Sequence, residues 1–390
     1  NTSRHNISPK MPRARDYFEL RTGGSVSYVR YDSVEMLSEI GGIVFDCDGV
    51  LIDESTSYDE AIREAVSKIV GMLTGVRIDP SIISTELIYT VRSIGSFNND
   101  WDTTYLLATA LTARIASERL AETQSRLDRV RGGKFQQLEE DTVRDEDILV
   151  ILRDWVGELD IMLGQLEATA LPSHEVLTKV MPYQLASISS EVARVLRYPG
   201  RFGESLVVTV FDEVYFGSGN IRAVRGFPPF FNYQGRIEEE KLLVSEDTLR
   251  SLRDSVGKLG LSTGRGSWET YKTLGSLLDY FEKSACVFIG DIVAANPEDR
   301  SRYEKPSPWP LQEASSHLGV NGSILYVGNS MEDLLMWEKT NSLDGRYSFA
   351  GVFSGVKRLD MLDLFLERGA DLAIPSVNVL PRVLHHLRGG

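Results

Sequence analysis

Between Gly41 and Asp46 the chain reads Gly-Gly-Ile-Val-Phe-Asp, an apolar run too short for a helix and suited to a strand buried on both faces. The same pattern returns after residue 205. KLGLST (258–263), ACVFIGD (285–291), SILYVGNS (323–330), FAGVFSG (349–355) and ADLAIP (370–375) are short apolar runs, most of them separated by helical stretches. Strands alternating with helices predict a parallel sheet with helices on both faces. From about 55 to 200 the period is helical instead. Leu107, Leu111 and Ile115 share one face, Ile148, Leu152, Trp155, Leu159 and Met162 another, and Arg131-Gly132-Gly133 between them ends the first helix. The acidic stretch 136–147 reads as a solvated link and helix start. Ahead of the first buried strand, YFELRTGGSVSYVRY holds two β-rich runs about Gly23-Gly24 and predicts a hairpin; residues 1–12, polar with Pro9 and Pro12, read as disordered. The organisation expected is an N-terminal extension over 1–40, an α/β core from 41–56 and 235–390, and an α-helical insertion over 57–234.

Composition narrows the partners. The 390 residues carry a net charge of −14, so no basic footprint for nucleic acid exists. An acidic surface still allows a phosphorylated substrate, held by one local cationic pocket or a metal. Cys47 and Cys286 make no disulfide framework, which fits a reducing compartment. No run of 18 apolar residues occurs, and the first 35 residues lack an apolar signal core. The expectation is a cytoplasmic protein without membrane contact.

Ligands of an open parallel sheet sit beyond the carboxyl ends of its strands. Asp46 and Asp48 follow the first predicted strand. Ser262, Thr263, Gly264 and Arg265 lie at the end of the second. Lys305-Pro306 comes after the third, and Gly328-Asn329-Ser330 ends the fourth, with Glu332 and Asp333 just beyond. Taken singly, each has a bland reading: Asp-Gly as a turn, Thr-Gly as a helix start, Lys-Pro as a solvated loop. Together, in this order and at strand ends, they predict a site.

The order resembles the haloacid dehalogenase (HAD) superfamily of aspartate-nucleophile phosphatases. Its first motif is matched by IVFDCDGVLID (43–53), its second by LGLSTGR (259–265), its third by EKPSP (304–308), and its fourth, Gly-Asp-x-x-x-Asp, is approached by VGNSMED (327–333). The resemblance covers 41–60 and about 235–385, and the ending AGVFSG…ADLAIPSVNVLPRVL looks nearest to the phosphoglycolate-phosphatase-like branch. It implies a Rossmann-like sheet core with an inserted α-helical cap of the C1 type, which accounts for the insertion. It also implies Asp46 as the nucleophile on phosphorus and Asp48 as the acid and base. Thr263, Gly264 and Lys305 would hold the phosphate, and Mg²⁺ would be bound by Asp46, the Asp48 carbonyl, Asn329 and Asp333. Asn329 departs from the family, which usually has a carboxylate there; Asp333 or Glu332 would compensate. Arg265 could assist the phosphate or be a surface arginine. The chemistry agrees with this reading: residues two apart in an extended segment point the same way, and phosphoryl transfer rests on positioning and charge neutralisation.

Within the insertion, SFNNDWDTT (96–104) gathers amides, an acid and a ring before a helix. Asp102 suits a helix cap. Asn98, Asn99, Asp100 and Trp101 are expected to face the active-site cleft and select the substrate. The apolar helical faces form an internal bundle by default and leave a homodimer open. The function expected is Mg²⁺-dependent hydrolysis of a small phosphorylated metabolite. A phosphomutase, or a ligand-binding protein on a weakened phosphatase scaffold, stands as the alternative.

Overall fold

The computed structural model describes residues 16–94, 99–132, 138, 141–166, 172–296, 299–354 and 358–390. The chain forms two compact units, one from residues 1–54 with 241–390, the other from 55–240. The first opens with β1 (Tyr17–Thr22), β2 (Ser25–Arg30), α1 (Val34–Ser38), β3 (Ile40–Phe45) and β4 (Ile52–Asp53). The helical unit follows: α2 (Tyr58–Thr74), α3 (Thr85–Ser93), α4 (Asp100–Glu118), α5 (Leu120–Arg131), α6 (Glu146–Gly164), α7 (Ser173–Val180), α8 (Tyr183–Leu196), α9 (Leu206–Phe216) and α10 (Ile221–Arg225). The chain returns to the first unit with β5 (Lys241–Leu242), α11 (Glu246–Val256), β6 (Leu259–Thr263), α12 (Ser267–Leu274) and β7 (Cys286–Phe288). It ends with α13 (Ile289–Ala295), α14 (Arg300–Tyr303), α15 (Trp309–Ser316), β8 (Ser323–Gly328), α16 (Met331–Leu343), β9 (Tyr347–Val352), α17 (Arg358–Glu367), β10 (Leu372–Ile374) and α18 (Leu380–Leu387).

The sheet has eight strands in the order β1-β2-β10-β9-β8-β3-β6-β7. From β10 to β7 every pairing is parallel. The fold class is therefore α/β, with a Rossmann-like sheet. β3 lies in the middle, between β8 and β6, and the winding reverses there, the switch point where open α/β sheets place ligands. Alternate residues of the buried strands feed opposite layers. Ile43, Phe45, Leu259, Leu261 and Leu325 pack with Leu249, Leu252 and Leu384 on one face. Val44, Ile324 and Tyr326 pack with Leu311, Leu334 and Trp337 on the other.

Two boundaries differ from the sequence reading. The insertion was expected from 57 to 234, whereas the units change over at 54/55 and 240/241. The reason is the ribbon in which Ile52 pairs with Leu242 and Asp53 with Lys241, fixing both chain crossings at its base. The segment after Gly49 thus pairs with a strand from far along the chain. The hairpin at 17–30 also belongs to the main sheet. Thr22 pairs with Ser25 across Gly23 and Gly24, whose φ of 58° and 82° suit glycine in a two-residue hairpin turn. β2 then pairs antiparallel with β10, Val29 opposite Leu372.

A buried carboxylate fastens that hairpin. Asp371 accepts from Ser33 Oγ at 2.6 Å and from the Phe349 amide at 2.8 Å, and faces Arg30 Nη2 at 3.1 Å. Asp371→Ala leaves three donors without their acceptor. We expect a loss of about 2–4 kcal/mol, read as a lower denaturant midpoint; an unchanged midpoint would show that the hairpin does not depend on it.

In the helical unit, α4 is buried around most of its circumference and packs against α2, α8, α6 and α7. The single helix expected to end at Arg131 is two, broken at Arg119 between α4 and α5. Residues Gly133–Gln137 lie outside the described residues. In α6 the buried stripe is Ile148, Leu152, Trp155, Leu159 and Leu163; Met162 stands half-exposed beside it. Among the described residues no helix is long and apolar enough to cross a membrane.

Candidate functional site

β3 ends at Phe45, and the Asp46 amide still bonds the Val327 carbonyl of β8 at 2.9 Å, so Asp46 is delivered at the carboxyl edge of the central strands. The chain then turns sharply. The Cys47 carbonyl accepts from the amides of Val50, Leu51 and Ile52, and Gly49 takes a φ of 70°. A side chain at Gly49 would be strained there, and its Cβ would sit 1.8 Å from Asn329 Nδ2, so the Asn329 amide lies directly on this turn. The Gly49 amide donates to Glu54 Oε2 and to the Ile52 carbonyl, both at 2.8 Å. In a trans peptide the carbonyl opposes its N–H. Holding the Gly49 N–H therefore turns the Asp48 carbonyl the other way.

Lys305 reaches this edge from more than 250 residues away. Its Nζ stands 2.8 Å from Asp46 Oδ1 and 2.8 Å from Asp333 Oδ1. Asp333 lies in the first turn of α16 and is held on both oxygens. Tyr326 OH donates to Oδ1 at 2.5 Å, and Ser330 Oγ to Oδ2 at 2.8 Å with the amides of Asn329 and Ser330 beside it. Ser330 in turn caps the helix, accepting from the Asp333 amide.

The two carboxylates on Lys305 differ in charge balance. Burial, then the neighbouring Asp333 and Asp48 charges, push Asp46 up to about 8, with Lys305 pulling the other way. Burial also acts on Asp333, but Lys305 and the Tyr326 and Ser330 donors outweigh it and hold that carboxyl below its ordinary range. The donor count decides, so the ammonium sits between a firmly ionised Asp333 and an Asp46 that carries its charge at a cost. Lys305 itself is disfavoured by burial, yet Asp333 and Asp46 hold it well above its usual value. Two more acids on this side are raised, Glu54 to about 8 by burial and then Asp48, and Glu332 to about 7 by burial and then Asp333.

Of the residues picked out by the sequence, Asp46, Lys305 and Asp333 meet directly, Asp48 stands two residues on, and Asn329 covers Gly49. Thr263 ends β6, the strand next to β3. The β3–β6 ladder ends with Phe45 opposite Leu261, and its register carried one step on would set Ser262 beside Asp46. The buried Thr263 hydroxyl contacts the Cys47 thiol and accepts from the Arg265 amide at 3.2 Å. The Ser262 hydroxyl is buried and has no partner among the described residues. The alternation of a strand could have singled it out. Nor is the start of α12 open as a phosphate nest, because Glu269 takes the Gly266 amide and Asp291 the Ser267 amide. Asp333, expected as a metal ligand, has both oxygens engaged by protein donors. Arg265 is neither exposed nor free: its side chain is 0% exposed and its Nε bonds Asp48 Oδ1 at 2.6 Å. Tyr326 and Glu54 were not foreseen, one hidden in an apolar run, the other past the motif.

In the helical unit, Asn98 lies outside the described residues. Asn99 caps α4, accepting from the Asp102 amide at 2.8 Å. Asp100 pairs with Arg92, Trp101 Nε1 donates to buried Asp212 at 2.9 Å, and Asp102 accepts from Tyr198 OH at 2.9 Å. Each thus has a structural role inside the bundle.

No family model and no curated protein matches this chain. Among solved structures, a similar one is the phosphatase Tt82 from Thermococcus thioreducens, 23% identical over 84% of this chain and 100% of that chain, with a TM-score of 0.42. So distant a likeness says nothing of chemistry, which rests on the site itself.

Proposed function

We propose that the protein is a Mg²⁺-dependent phosphomonoesterase of the HAD type, acting on a small phosphorylated metabolite through an aspartyl-phosphate on Asp46. The observation that carries this is Lys305 Nζ at 2.8 Å from both Asp46 and Asp333, at the carboxyl edge of the sheet where the winding reverses. An ammonium there orients Asp46 Oδ1 and offsets charge on an incoming phosphate. Asp46 attacks phosphorus, the ester bond breaks, and Asp48 gives its proton to the departing oxygen. Water then attacks the same phosphorus, its proton passes to Asp48, and the bond to Asp46 breaks. Ser262 is the hydroxyl best sited to support phosphate beside Asp46.

The donor set suits a hard divalent ion. Among the described residues no group of three or more acidic, histidine or cysteine side chains is arranged to hold a metal ion by itself. Mg²⁺ commonly takes one or two carboxylates and keeps water and phosphate for its other positions. The Asp46 carboxylate, the Asp48 carbonyl and the Asn329 amide oxygen would hold it, and the raised acids here are what a cation would relieve. When bound, the ion would neutralise charge on the transferring phosphoryl group.

The test is phosphate release across a panel of phosphorylated metabolites. We expect release with Mg²⁺, loss with a chelator and recovery when Mg²⁺ returns. Phosphate moved between positions of one sugar would mark a mutase. A tightly held ligand with no turnover would mark a binding protein, as the uncharged Asn329 would favour.

A further inference from the structure

Arg265 stands two residues beyond β6, after a Thr-Gly that by itself reads as a helix start. Its guanidinium is nonetheless fully buried, and Nε donates to Asp48 Oδ1 at 2.6 Å. Its backbone is held on both sides. The amide donates to Thr263 Oγ1 at 3.2 Å, and the carbonyl accepts from the Gly290 amide at 3.2 Å. The next two amides are fixed by Glu269 and Asp291. An arginine clasped this way cannot swing out to meet a ligand. Asp48, by contrast, is 29% exposed within the sharp turn just ahead of Gly49. Its carboxylate needs an external anchor to keep one direction, and the guanidinium provides a charged, planar donor for it.

Given the phosphatase reading, we propose that Arg265 is a positioning residue for Asp48 and not a phosphate ligand. Thr263 belongs to the same device, since its hydroxyl fixes the arginine amide. The motif hydroxyl and the motif acid are then coupled through Arg265, and substrate meets only the far end of the chain of contacts, the Asp48 carboxylate.

The roles separate by leaving group. An alkyl phosphate needs a proton on its departing oxygen, whereas p-nitrophenyl phosphate does not. With Arg265→Met we expect the single-turnover rate of leaving-group release to fall about 100-fold on an alkyl phosphate and about tenfold or less on the nitrophenyl ester, with the affinity for both esters unchanged and the later release of phosphate from Asp46 slowed equally for the two. In an Asp48→Asn background the same change should add nothing on the alkyl ester. Should Arg265→Met fail to fold, Arg265→Lys keeps the charge without the fork and should give the same pattern at smaller amplitude. Equal losses of leaving-group release on both esters with a weakened affinity would make Arg265 a phosphate ligand. Additive losses with Asp48→Asn would make it independent of Asp48; either overturns this role alone. A wild-type chain that releases no phosphate from any ester overturns the phosphatase reading, and this role with it.

Discussion

Asp46→Asn should abolish phosphate release while leaving the fold intact. Asparagine has the shape of aspartate but no anionic oxygen to attack phosphorus, and loss of a nucleophile costs about 10⁴-fold or more. The structure sharpens this into a two-sided expectation. Asp46 is buried beside Asp333 and Asp48, and its carboxyl is pushed up to about 8, so its charge is a burden to the folded state. Removing it spares that cost, at the expense of one of the two carboxylates on Lys305. The two effects oppose one another, and thermal unfolding should move by no more than about 1 kcal/mol. Activity lost with the melting temperature nearly unchanged is the signature of a nucleophile held under electrostatic strain. Turnover that survives in a folded Asp46→Asn protein would remove Asp46 from the mechanism.

Why Asp46 was legible in the sequence, and Arg265 was not, has a physical answer. A strand buried on both faces must be apolar throughout, so IVF ending in Asp announces both the strand and its carboxyl end. The strands β6 and β8 were readable for the same reason. ACVFIGD was read too far: the strand stops at Phe288 and α13 begins at Ile289, placing Asp291 where it takes the Ser267 amide. That end is decided by a contact between segments, and nothing local records it. The burial of Arg265 depends likewise on Asp48, 217 residues away, and the docking of the hairpin on Asp371, 338 residues from Ser33. At the end of β6 the sequence left the facing hydroxyl open. LST offers two adjacent hydroxyls, and only the pairing of Phe45 with Leu261 says which one shares the face of Asp46. In YFELRTGGSVSYVRY the turn was readable because Gly23-Gly24 must supply positive φ, while its partner β10 was not.

The second large effect is expected at Lys305. Lys305→Met keeps the length and volume of the stem and deletes the charge that bridges Asp46 and Asp333. Asp333 retains Tyr326, Ser330 and two amides, so it stays ionised and in place. Asp46 has no such reserve. Facing an ionised Asp333 across a buried gap, it should take up a proton or turn away, and a protonated carboxyl does not attack phosphorus. Turnover should therefore fall about 10³-fold, the range for losing a preorganised charge at a reacting centre. Stability should drop by about 3 kcal/mol, because one partner of a buried ion pair is gone while an acid remains. The double variant Lys305→Met/Asp333→Asn separates the two consequences. With Asp333 neutral, the repulsion on Asp46 disappears and much of the stability should return, while turnover stays low because phosphate still lacks its ammonium. Unfolding midpoints and phosphate release on the three proteins decide the matter. If the double variant is no more stable than Lys305→Met, Asp333 does not act on Asp46 through charge. If Lys305→Met turns over as the wild type does, the cation at the carboxyl edge of the sheet is a fastening of the fold and not part of phosphoryl transfer.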